Sequence, residues 1–257
     1  VHEHAPSGAP VAAGRGARSQ GGHGNHRRQE TLRLLEPDAA ELALWRSDLT
    51  RTELRMEGDE LVLSPTGFDS YHALVAQRDT PELHESAMRY SYMHGKPSGR
   101  SPAELLAIDK VPLEIVPDPI AREHHRYLSD HPAAFRIRYR GQPLANAPVS
   151  LETSNGTFVQ LQADGQGRIT LRLPDDFATV QVGRHNNAPA DFVVRTRHTD
   201  NGKQYRASLS APYQVNPHHW ASNRAGLAAA ALGFVVGLGI LGVTRRRDAA
   251  KANGGQA

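Results

Sequence analysis

The sequence predicts an all-β protein with one membrane-spanning helix near its C-terminus. Three observations carry this. Short apolar–polar alternations of period two recur from Thr52 to Tyr213, the spacing that puts alternate side chains on one face of a strand. Turn compositions rich in Gly, Asn and Asp separate them. The stretch 225–244, "AGLAAAALGFVVGLGILGVT", runs for twenty residues without an ionisable group, the length a helix needs to cross about 30 Å of hydrocarbon.

The elements follow in chain order. Residues 1–30 are rich in Gly, Pro, Ser and Arg and poor in large apolar side chains, which predicts a disordered tail. "PDAAELALWRSDL" puts Leu42, Trp45 and Leu49 on one helical face behind Asp38 as N-cap, so a short helix is expected to lead an N-terminal β-domain over 31–109. Its strands are "TELRM", "DELVLSP", "YHALVAQ" and "RYSYMHG", followed by the loop "KPSGRSP" and the apolar stretch "AELLAI".

A second β-domain is expected over 110–215. "AFRIRYRG" sets Phe135, Ile137 and Tyr139 against Arg136, Arg138 and Arg140, and the arginines read as a solvated strand face. "APVSLET", "ITLRLP", "ATVQVG" and "DFVVRTRHTDNGKQYRASLSAPY" continue the alternation, the last turning at Asp200-Asn201-Gly202. "SNGT" and "ADGQGR" are turns in which Gly supplies positive φ. About seven short strands at this spacing predict a β-sandwich of immunoglobulin-like type, with a barrel as the alternative. The whole is thus two small immunoglobulin-like sandwiches, a juxtamembrane segment 216–224, the helix 225–244 and a tail 245–257.

Arg224 precedes the apolar stretch, and Arg245, Arg246, Arg247 and Lys251 follow it. By the positive-inside rule the C-terminus is cytoplasmic and residues 1–224 face the periplasm, the orientation of a single-pass protein of the bacterial inner membrane. A buried core helix is the alternative, at odds with the flanking arginines. Gly233 and Gly237 form a GxxxG pair that would pack two such helices as a homodimer. The chain begins at Val, as expected after removal of a signal peptide or from an atypical start.

The formal charge of +3 is nearly balanced and its excess includes the Arg245–Arg247 run, so nucleic acid is not expected as a partner. Absence of cysteine excludes disulfides, thiolate metal sites and cysteine nucleophiles. No HExxH, GxSxG, P-loop or helix-opening GxGxxG occurs, so neither an enzyme nor an organic cofactor is expected. "NGT" at Asn155–Thr157 reads as a β-turn rather than a glycosylation site, and Asp175-Asp176 lie in a turn without an identifiable partner.

Histidine is abundant, at 14 residues. If Val1 carries a free amine, that amine, the deprotonated His2 amide and the His2 imidazole form two fused chelate rings, with His4 as a fourth ligand. Three in-plane nitrogens favour Ni(II) or Cu(II) over zinc. The alternative is a solvated tail in which these histidines, with His23 and His26, are incidental. His124 and His125 lie beside Glu123 and His131, but adjacent side chains point apart, and linker polarity explains the pair as well. His218 and His219 precede Trp220 just above the predicted membrane, as interfacial anchors or as part of an ion-delivery surface. His72, beside Tyr71 on a predicted strand, reads as a packed or surface histidine.

From "KVPLEIVPDP" to "FRIRYRGQPLANAPVSLET" the chain resembles the periplasmic domain-of-unknown-function family 4198. Leu113-Glu114-Ile115-Val116-Pro117 matches its "LEIVP" strand, and Gly141, Pro143, Leu144, Ala147 and Val149 match "GxPLxxAxV". "ADGQGRITLRLP" and "YRASLSAPYQV" also fit, and "LSPTGFDSYHALVA" extends the likeness to about residues 50–215. The resemblance implies a secreted or membrane-anchored all-β protein, in some relatives an accessory of nickel or cobalt uptake. It supplies no catalytic residues, and the long Gly/Arg-rich lead departs from relatives that begin with a compact His-containing strand.

Together these readings predict a membrane-anchored periplasmic accessory that captures Ni(II) or Co(II), alternatively Cu(II), and presents it to a membrane permease. The candidate ligands are Val1, His2, His4, His124, His125, His218 and His219. The alternative is a non-catalytic envelope module that binds another envelope protein, its histidines incidental. A carbohydrate-binding module is a third reading, disfavoured by few aromatic residues.

Overall fold

The computed structural model describes residues 11–12, 30–34, 40–56, 60–120 and 127–221. The predicted span 225–244, its flanking arginines and the Gly233/Gly237 pair lie outside them. Among the described residues no helix is long and apolar enough to cross a membrane. The strands are β1 (Val11–Ala12), β2 (Glu30–Leu34), β3 (Glu41–Trp45), β4 (Arg51–Leu54), β5 (Glu60–Leu63), β6 (Ser70–Asp79) and β7 (Leu83–Met93). After helix α1 (Pro102–Ala107) come β8 (Leu113–Pro117), β9 (Tyr127–Leu128), β10 (Pro132–Tyr139), β11 (Gln142–Pro143), β12 (Pro148–Thr153), β13 (Phe158–Gln162), β14 (Arg168–Arg172), β15 (Ala190–Asp200) and β16 (Lys203–Gln214).

The C-terminal strands make a sandwich of two antiparallel sheets. In one, β10 lies between β8 on one side and β14 and β11 on the other; the other runs β13-β12-β15-β16. Phe135 and Ile137 from the first sheet and Leu151, Phe192 and Leu209 from the second are buried in one core. The turns obey their residues: Asn201 (φ 49°) and Gly202 (φ 81°) close the β15–β16 hairpin with two positive φ values, the geometry that matches strand twist. Gly167 is required twice over, because its φ is +69° and a Cβ there would stand 2.5 Å from the Ile137 carbonyl oxygen.

The sheet does not stop at β16. β7 pairs with it in parallel, from Gln204↔Leu83 to Ser210↔Arg89, and the ladder continues through β6, β3 and β4. The two blocks read from the sequence therefore share one nine-stranded sheet, with β9 paired on the far end of β16. A second core, with Leu32, Leu42, Leu44, Leu61, Leu63 and Leu74, joins the β3–β6 face to the small sheet β1-β2-β5. The opposite face of β6 and β7 contributes Val75 and Met88 to the first core. Burial on both faces explains why β6 and β7 are buried over consecutive residues rather than alternately.

Three expectations are corrected. The helix over "PDAAELALWRSDL" is strand β3, paired with β4 and β6, with Leu42 and Leu44 on one face and Trp45 on the other. A short apolar run reads equally as helix or strand, and here pairing and two-sided burial decide it. Leu49 sits at φ 73° in the β3–β4 turn, where the Arg46 amide donates to Thr50 O at 2.8 Å. The apolar stretch "AELLAI", to which the sequence pattern assigns no element, is helical over Pro102–Ala107 because Ser101 and Glu104 form a capping box. "ATVQVG" is not a strand: the Asn187 amide takes over the backbone groups of Gln181, at 2.8 and 2.7 Å, that a neighbouring strand would otherwise bond. Within the predicted tail, Val11–Ala12 pairs with Leu34 and Arg33.

Two compact units divide the chain: Val1–Ala178 with Ala188–Val215, and Thr179–Asn187 with Asn216–Ala257. The described part of the second holds two single 3-10 turns, Arg184–Asn186 and Pro217–His219.

Candidate interaction edge and the polar clusters behind it

Strand β13 forms one end of the nine-stranded sheet. It is placed by the turn after β12, where the Thr153 amide donates to Thr157 O at 2.9 Å and Gly156 adopts φ 97°. The register pairs Leu151 with Val159 and Val149 with Leu161, so Val159 and Leu161 point toward the core while Phe158, Gln160 and Gln162 point outward. Val159 is still 37% exposed and Phe158 58% exposed.

The backbone of β13 has a definite polarity of bonding. Thr157 O accepts from Thr153, and the Ala163 amide donates to Ala147 O at 2.9 Å. Along an antiparallel strand these groups alternate between the two edges. The N–H and C=O groups of Val159 and Leu161 therefore face β12, and those of Phe158, Gln160 and Gln162 face away from it.

Two other sheet edges differ. β4, at the far end of the same sheet, carries Arg51 and Glu53, and β14 carries Arg168 and Arg172, with Arg172 Nε donating to Asp130 Oδ1 at 2.6 Å. Charges on an edge strand oppose further pairing. The five residues of β13, Phe-Val-Gln-Leu-Gln, hold no charge, proline or glycine.

Two polar clusters stiffen the sandwich. Glu114 on β8 is fully buried and accepts from Lys110 Nζ at 3.1 Å and from Arg138 Nε and Nη2 at 2.9 and 2.6 Å. Lys110 Nζ and Arg138 Nη2 also donate to Ile108 O, just past the end of α1. Burial holds the Lys110 ammonium below its ordinary pKa, against the pull of Glu114. Arg138 is thus no solvated strand face, and Arg136 pairs with Asp118 at 2.7 Å. The sequence signal was a single Glu inside the apolar "LEIVP", which demands a buried cation.

The second cluster lies where β12, β16 and the loop after β14 meet. Asp176 accepts from Thr153 Oγ1 at 2.6 Å, Asn155 Nδ2 at 3.2 Å and the Tyr213 hydroxyl. Burial pushes its carboxyl pKa upward, but these donors outweigh it and hold the group below its ordinary range. Tyr213 is raised by its burial and by the same carboxylate.

The predicted ligands do not assemble among the described residues. Val1, His2, His4, His124 and His125 lie outside them, as do His23 and His26. His218 and His219 are exposed in the turn Pro217–His219, where Asn216 Oδ1 accepts from the His218 amide at 3.1 Å. Among the described residues no group of three His, Asp or Glu side chains is close enough to hold a metal ion. His72 is packed at 0% exposure: its Nδ1–H donates to Ser70 O at 3.1 Å, which leaves Nε2 to accept from Thr66 Oγ1 at 2.6 Å.

Two facing sheets of short, mostly antiparallel strands around one core define the class as a β-sandwich. No family model and no curated protein matches the chain. Among solved structures it is similar to a two-domain fibronectin type III segment of chicken tenascin, with 12% identity over 72% of this chain and 91% of that one and a TM-score of 0.24. It is also similar to a Ca2+-stabilised, ice-binding adhesin of an Antarctic bacterium, with 11% identity, coverage of 83% and 50%, and a TM-score of 0.28. A third is SGBP-B of the Bacteroides ovatus mixed-linkage glucan utilization locus, in complex with a mixed-linkage heptasaccharide, with 10% identity, coverage of 83% and 71%, and a TM-score of 0.22.

Proposed function

We propose that the protein is a non-catalytic interaction module of the bacterial envelope. In this reading its β-sandwich faces the periplasm, and the apolar stretch 225–244 holds it at the inner membrane. The observation that carries it is the uncharged edge strand β13, with its own Phe158 exposed. Such an edge offers backbone hydrogen bonds for affinity and side-chain positions for selectivity, the terms of strand addition. Photo-crosslinking tests it: a crosslinker at Gln160 forms discrete adducts in native membranes, while one at Thr170 on the guarded strand β14 does not. Equal labelling from both positions, or none from either, contradicts the reading.

A second reading, capture of Ni(II) or Co(II) for a membrane permease, is supported by the N-terminal Val1, His2 and His4 and by the stretches that resemble family 4198. Its test is calorimetric titration of the chain with Ni(II), Co(II), Cu(II) and Zn(II). Binding tighter than the high-micromolar range supports it, and weaker binding to all four removes it.

A further inference from the structure

We infer that the partner of β13 is β13 of a second copy of this chain, added antiparallel about a two-fold axis through Gln160. This rests on the interaction-module reading and names its partner.

The strand is self-complementary in three respects. A two-fold at Gln160 sets Phe158 opposite Gln162 of the other copy, Gln160 opposite Gln160, and Gln162 opposite Phe158. These are the residues whose N–H and C=O groups face away from β12. All three pairs are therefore of the hydrogen-bonded kind, and each exchanges two bonds. The same axis sets Val159 opposite Leu161 on the core face, so the half-exposed Val159 and the partly buried Leu161 each gain an apolar neighbour. Neither strand brings a charge to the contact, so no like charges oppose one another and nothing selects a charged partner.

The pairing is isologous and closes at two copies, because each chain offers this edge once. A contact of five residues a side is smaller than the roughly 1,200 Å² of a standard interface, so the dimer is reversible and fills only as concentration rises. Gln160 is the position that separates pairing from folding. Its backbone groups do not bond β12, so proline there leaves the hairpin ladder intact while removing an outward N–H. Lysine there places two like charges at the axis.

Analytical ultracentrifugation of the full chain in mild detergent, across about 10 to 500 μM, tests the inference at the concentrations expected of a small interface. The wild type shifts from monomer to dimer. Gln160→Pro and Gln160→Lys each weaken that dimer by about tenfold or more, as like or missing partners across a strand pair demand, while retaining the wild-type circular dichroism and melting temperature. A chain that stays monomeric throughout, or a dimer unchanged by both substitutions, overturns it. The crosslinker at Gln160 separates the two claims. A monomeric chain with adducts to a different protein overturns self-pairing and leaves the module reading standing, whereas no adduct of any kind overturns both.

Discussion

Glu114 on β8 and Arg138 on β10 face each other across an antiparallel pair and are joined by two hydrogen bonds, at 2.9 and 2.6 Å. Lys110 completes the neutralisation of a carboxylate that water does not reach. Glu114→Ala leaves Lys110 buried and Arg138 largely buried without their shared counter-charge, and the expected loss is about 3–5 kcal/mol. Urea denaturation of the variant measures it; a loss under about 1 kcal/mol would show that the two cations find other acceptors.

Stability is expected to fall on mild acidification through His72 and His84. Burial lowers the pKa of both below the ordinary 6.5, so both stay neutral in the folded chain. The unfolded chain binds more protons as pH drops through that value, and stability present above it is lost until the folded-state pKa is passed. Denaturant midpoints between about pH 7.5 and 5 follow the loss, and His72→Gln flattens part of the slope. A wild-type midpoint constant over that window contradicts the account.

Asp176 acts in the same sense in a more acidic window. Its pKa lies below 3.8 in the folded chain, so its stabilisation is complete above that value and lost as pH falls through the folded pKa. Tyr213→Phe removes one of its donors and is expected to cost about 1.5–3 kcal/mol, the range for a hydrogen bond to a charged group. Thermal melts of the variant at neutral pH check this; an unchanged melting temperature contradicts it.

Strands β10, β12, β14 and β15 of the C-terminal sandwich were legible because one face of each is more buried than the other, which is what period two encodes. The inward positions of β12, Val149 and Leu151, follow from "PVSLET" alone, and Asn201-Gly202 announces the β15–β16 hairpin. The parallel junction of β7 with β16 was not legible. It joins residues more than a hundred positions apart, and its burial on both faces erases the alternation that marks a strand. β3 was misread for the same reason, since Leu42, Ala43 and Leu44 are buried in succession. The Ser101–Glu104 capping box and the strand "FVQLQ" were not read from the sequence, and only the hydrogen-bond phase around Thr157 and Ala163 shows which backbone groups of that strand face outward.

The N-terminal chelate makes its own prediction. If the Val1 amine is free, His2→Ala or acetylation of Val1 lowers Ni(II) and Cu(II) affinity by about tenfold or more, because either change breaks the fused rings, while Zn(II) binding changes little. Calorimetric titration of the full chain reads the difference. Equal losses for all three ions would assign the binding to other histidines.

The central claim, that β13 is an open edge awaiting a strand, is tested most directly by residue-resolved amide exchange of the full chain at low and high concentration and with native membranes added. The account predicts an alternating result. Exchange slows at Phe158, Gln160 and Gln162, whose amides face outward, and changes little at Val159 and Leu161, whose amides already bond β12. Protection that is uniform along the strand, or absent at all five residues under every condition, would contradict it.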